Sequence, residues 1–69
     1  MLSIYPKPAT GNITVSGAQG ETVSIYTITG ALIKQVQDIS TVQNIDISEL
    51  NSGLYIVRVG SITQKLVVE

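Results

Sequence analysis

Sixty-nine residues make one domain with a thin stability margin, because a chain near this size buries only about 60% of its unfolded surface. Hydrophobic residues, 43% of the chain and mostly Ile, Val and Leu, come in short stretches, which indicates a soluble globular domain without a membrane-spanning run. Four basic and five acidic residues, spread singly to a net charge of −1, give no electrostatic footprint for a phosphate backbone or anionic lipid, so nucleic acid is not an expected partner.

Histidine and cysteine are absent. That removes the commonest general base, the thiol nucleophile, disulfide staples and the most frequent transition-metal ligands, so the expectation is a non-catalytic domain with no cofactor, no metal and no small-molecule substrate. Met1-Leu2-Ser3-Ile4-Tyr5 lacks a basic segment followed by a long apolar run, and no secretory signal peptide is read there.

Apolar positions alternate with period two throughout, and no window holds a helical stripe. Strands are expected at residues 2–5, 12–16, 22–28, 31–36, 42–47, 54–59 and 62–68, each bounded by Gly, Pro, Asn, Ser or Asp. The predicted fold is an all-β, single immunoglobulin-like antiparallel sandwich of about seven short strands over residues 1–69.

The first strand runs into Tyr5-Pro6-Lys7-Pro8, where two prolines withhold their N–H groups, so this segment is expected to run extended along an edge. Next, Asn12-Ile13-Thr14 matches a glycosylation triplet, but alternation already explains Thr14 as an outward strand residue. Leu2, Ile4, Ile13, Val15, Val23, Ile25, Ile45, Ile47, Tyr55, Val57, Val59, Leu66 and Val68 are the expected core. Gly11, Gly17, Gly20, Gly30 and Gly53 supply positive φ at the reversals, and Gly60 with Ser61 closes the last hairpin.

Between the fifth and sixth strands, Asp46-Ile47-Ser48-Glu49-Leu50-Asn51-Ser52-Gly53 reads as a helical turn capped by Ser48, with Leu50 pointing back inside as a plug. Asp46, Ser48, Glu49 and Asn51 offer oxygens on this segment, but capping on a solvated loop explains them better than a calcium site does. On the outward faces, Leu54 and Ile56 share a side with Arg58, and Tyr26 and Ile28 share one with Thr22 and Ser24. These are ordinary scattered apolar residues or a docking patch. The last strand is either paired inside the sheet or an edge that accepts another chain.

Three blocks carry a family resemblance. The first is Ile4-Tyr5-Pro6-Lys7-Pro8 followed by Asn12-Ile13-Thr14-Val15; the second is Val23 through Tyr26, Thr27 and Gly30 to Ile33; the third is Asp46, Ser48, Leu50, Gly53 and Tyr55, closed by Lys65-Leu66-Val67-Val68. Together they resemble the type A C-terminal sorting domain of type IX secretion cargo, found in Bacteroidetes, over nearly the whole chain. Lys7 stands where that family usually has asparagine, and Thr27 where it usually has aspartate.

The resemblance implies a secretion signal at the end of a larger protein, joined to an N-terminal cargo domain. It implies folding in the periplasm, recognition by an outer-membrane shuttle and translocon, and removal by a sortase, leaving the cargo at the cell surface or outside the cell. Met1 then reads as an initiator added to an excised module. Tyr5, Pro6, Pro8, Gly30, Asp46, Leu50, Gly53 and Tyr55 would be structural motif residues, while Lys65, Leu66, Val67, Val68 and Glu69 are the expected recognition residues; the sequence leaves weak self-association through an open edge undecided. The rival from another class is a passive spacer or adhesive, carbohydrate-binding accessory module, which the absence of Trp and Phe disfavours.

Overall fold

Period-two alternation becomes seven strands in the computed structural model, which describes residues 2–69 apart from the side chains of residues 6–10. They are β1 (Ser3–Thr10), β2 (Asn12–Ser16), β3 (Val23–Thr27), β4 (Leu32–Val36), β5 (Val42–Asp46), β6 (Gly53–Val59) and β7 (Ile62–Val68). The expected strands match these within a residue at either end, except that β1 starts one residue later and continues through the prolines to Thr10.

The strands follow one another in the order β4-β3-β6-β7-β1-β2-β5. This order is continuous because β1 belongs to two layers. Ser3, Ile4 and Tyr5 pair antiparallel with Ser16, Val15 and Thr14 of β2, whereas Ala9 pairs in parallel with Val68 of β7. The β1–β2 register shifts between Tyr5 and Thr10, and Pro6 and Pro8 occupy that gap. The proline segment is therefore central in the strand order, contrary to the edge position expected from the sequence. A residue without an N–H sacrifices no ladder bond where the strand is leaving one partner for the next. Met1 and the side chains of Pro6 and Pro8 lie outside the described residues.

The start of β1 with β2 and β5 makes one layer, and β4, β3, β6 and β7 make the other. Ile4, Ile13, Val15 and Ile45 from the first join Val23, Ile25, Val57, Val59, Leu66 and Val68 from the second in one buried cluster. Two sheets sharing a single core through alternate residues form a sandwich, and this strand order is immunoglobulin-like.

Leu2, Leu50 and Tyr55 are partly buried against the core as packing partners. Ala18 and Ile39 also lie in it, although neither sits in a strand. The loop after β2 and the loop after β4 are laced together where both cross between layers: the Gly20 N–H donates to the Ile39 carbonyl at 2.8 Å, and the Ile39 N–H donates to the Glu21 carbonyl at 3.1 Å. With its backbone held in this way, Ile39 closes the Ser16/Val42 end of the sandwich.

Among the described residues the buried core cluster is made of aliphatic side chains, so its stability depends on shape and filling. Ile13, which is fully buried, should lose about 2–5 kcal/mol of unfolding free energy on Ile13→Ala. Val42→Thr on the exposed face of β5 should stay within about 0.5 kcal/mol of the parent. Urea denaturation followed by circular dichroism measures both, and equal losses would contradict this placement of the core.

Candidate functional site

The connection from β5 to β6 gathers four of the motif residues into one corner. An Asp46 carboxylate oxygen accepts the Ser48 N–H at 2.9 Å, and the Leu50 N–H donates to the Ile47 carbonyl at 3.0 Å. This is an Asx-type turn leading into a β-turn, not a helical turn capped by Ser48. Asp46 lies two residues before the N–H it captures and engages it first, so the cap comes from the end of β5.

Farther along, the Tyr55 hydroxyl donates to the Asn51 carbonyl at 2.7 Å. A tyrosine at the start of this strand, bonded back to backbone a few residues upstream, is the tyrosine corner of immunoglobulin-like domains. Between them Gly53 has φ +152°, with nothing within 4 Å of where a Cβ would lie. The requirement for glycine here is conformational and not steric. Leu50 meanwhile packs inward against the core.

Carboxylate oxygens of Asp46 and Glu49 that might have ligated a cation are engaged in hydrogen bonds of the corner itself. Glu49 accepts from Lys34 Nζ at 3.0 Å, tying β4 to this turn across the sandwich end. Among the described residues, no group of three or more acidic side chains lies close enough to hold a metal. Gly30 serves a second reversal, donating its N–H to the Thr27 carbonyl at 2.9 Å. There the Thr27 hydroxyl accepts the Ala31 N–H at 3.1 Å, the bond that a carboxylate would otherwise make at that position.

Of the expected recognition residues, Lys65, Val67 and Glu69 are exposed, while Leu66 and Val68 are buried in the core. Tyr5 stands exposed on β1 opposite Thr14. The register of the last hairpin adds Thr63, which the sequence reading passed over. Val59 pairs with Ile62 across a two-residue turn, which makes that pair a hydrogen-bonded one. Counting along β7, Gln64, Leu66 and Val68 also face β6 with their backbone groups, and Thr63, Lys65 and Val67 turn theirs the other way. On that side, the described ladder contact with β1 is at Val68 alone. The last strand is thus interior at its end, and the described ladder with β1 does not reach Thr63 and Lys65. The signal was present in the sequence, since the two-residue turn at Gly60-Ser61 fixes the parity.

Electrostatics support the corner. The Ser48 N–H, followed by the Ser48 hydroxyl, holds the Asp46 carboxyl below its ordinary value of 3.8, and Lys34 holds Glu49 below 4.5. A carboxyl whose folded pKa is depressed contributes stability above its unfolded pKa, and that contribution is lost as pH falls through the folded one. Asp46→Asn should therefore flatten the decline in melting temperature on acidification below about pH 4 while leaving a cooperative transition. An unchanged acid limb would show that the Asp46 turn does not persist in solution.

Comparison with known proteins gives one match. A model of the secretion system C-terminal sorting domain family matches residues 3–69. No curated protein and no solved structure matches the chain. A match across all but the first two residues shows that the chain belongs to the C-terminal sorting domain family of type IX secretion, a signal that engages this machinery for an attached cargo and directs its export across the outer membrane.

Proposed function

We propose that an outer-membrane shuttle protein of the type IX machinery reads this domain by adding a strand along the open side of β7. The domain folds in the periplasm at the end of its cargo, the shuttle carries it to the translocon, and a sortase removes it, leaving the cargo at the cell surface or in the medium. It serves as an address and performs no chemistry.

The observation that supports this reading is the side of β7 at Thr63 and Lys65, which turns its backbone groups away from β6 and which the described ladder with β1 does not reach. A sheet edge offers N–H and C=O groups at fixed spacing, so main-chain pairing supplies affinity while alternate side chains supply selectivity. Here the alternate side chains are Lys65 and Val67, exposed on one face, with Glu69 beyond them. Leu66 and Val68 contribute from below by holding the strand against the core.

Their burial also dictates the experiment, because deleting the last four residues would unfold the sandwich and abolish export for that reason alone. A proline at position 63 or 65 is sharper. It removes an N–H that points away from β6, so the β6–β7 ladder keeps its bonds, whereas an added strand loses one. With the domain fused behind an exported reporter in a type IX-competent host, Thr63→Pro should keep a cooperative melt and lower the reporter in the medium by roughly tenfold or more. Export at the parental level from a folded Thr63→Pro domain would sink strand addition.

A further inference from the structure

Pairing joins apolar residues that belong to separate strands. Tyr26 of β3 lies opposite Ile56 of β6, and β4 sets Leu32 beside Tyr26. Across the next ladder, Ile56 faces Lys65 and Leu54 faces Val67. These residues alternate with buried ones, so they share the outer face of the four-stranded layer. Leu32, Leu54 and Val67 are exposed there, and Tyr26 and Ile56 are half-buried.

The relief of this face also favours contact. Two shallow depressions, of about 370 and 340 Å³, adjoin one another, and Tyr26 and Arg58 line both. The opposite outer face is an internal control. Its register pairs Asn12 with Asp46, Thr14 with Asn44 and Ser16 with Val42, and sets Tyr5 beside Thr14, leaving Val42 and Tyr5 among polar residues. Both faces lie outside the core, so burial on folding does not explain why one carries a continuous apolar band and the other two separate apolar residues.

We propose that the Tyr26–Ile56–Leu54–Val67 face is a second docking surface, for an apolar protein surface edged with carboxylates that belongs to the secretion machinery. This inference rests on the export reading above and concerns a surface different from the backbone edge of β7. Charge selects the partner. Arg58 and Lys65 stand within the face, while the Glu21 carboxylate lies at its margin beside Gly60 and Glu69 follows Val67 at the end of the strand. A second copy would bring the same two cations against themselves, and like charges across an interface are unfavourable. Two cations also fall short of the basic clusters that hold a protein on anionic lipid. Lys65 and Val67 place the face next to the open strand, so one partner can cover both.

The test uses the same reporter fusion. Leu54→Thr combined with Ile56→Thr keeps strand-forming, β-branched residues while removing the apolar band, and Arg58→Glu combined with Lys65→Glu reverses the charge. Each pair should retain a cooperative melt and reduce export by roughly tenfold or more, while Thr14→Asp on the opposite face should export normally. Normal export from both folded pairs, with Thr63→Pro still defective, would overturn the docking face and leave strand addition standing. Normal export from Thr63→Pro, with the paired variants defective, would separate the two in the opposite sense and support the face. A dimer in sedimentation that the threonine pair dissolves would overturn the proposal by assigning the face to a second copy. Flotation with phosphatidylglycerol vesicles that is lost on charge reversal would overturn it in favour of a membrane.

Discussion

The shared strand β1 is the constraint on which the rest of the structure depends. Its first three paired residues complete the β2–β5 layer, its Ala9 reaches β7, and two prolines lie in the register gap between. By tying the layers together, this strand lets an aliphatic cluster close between them without a disulfide or an aromatic centre. By pairing with β7 only near its end, it leaves the side of β7 away from β6 outside the described ladder over the first half of that strand. One backbone feature thus accounts for both the closed core and the open edge.

Around that constraint the molecule divides its labour between ends and faces. The ends are sealed by Ile39 on one side and Leu50 on the other, each placed by backbone hydrogen bonds in a crossing loop. The tyrosine corner then fixes where β6 begins, and the position of β6 determines the register of β7. Motif residues such as Asp46, Gly53 and Tyr55 therefore act on recognition at a distance. They contact no partner in this account, but they set the height at which Thr63 and Lys65 present their backbone. The two outer faces differ in kind, polar over β2 and β5 and apolar over β3 and β6, and the apolar one adjoins the open strand.

Much of this was legible in the sequence. Alternation alone yields seven strands and the inward positions of Ile13, Val15, Val23, Ile25, Val57, Val59, Leu66 and Val68, because a strand with one buried face has no other way to satisfy both solvent and core. Ile39 was illegible for the converse reason: it lies in a loop without period, and its burial comes from a second loop distant in sequence. The missing N–H groups of the proline pair point to an edge, because sequence does not show a strand changing partners midway. At the corner, Ser48 and Asp46 both carry capping oxygens, and only the backbone path decides between them. The apolar face was visible as two separate half-faces, on β3 and on β6, and pairing made it one surface.

Amide hydrogen exchange at single-residue resolution, on the isolated domain and on its complex with the outer-membrane shuttle, tests the central claim most directly. In the free domain the amides of Gln64 and Leu66, bonded to β6, should be protected while those of Thr63 and Lys65 exchange rapidly. In the complex, Thr63 and Lys65 should become protected as well. Protection confined to other segments, with Thr63 and Lys65 still exchanging as in the free domain, would contradict recognition through the open edge of β7.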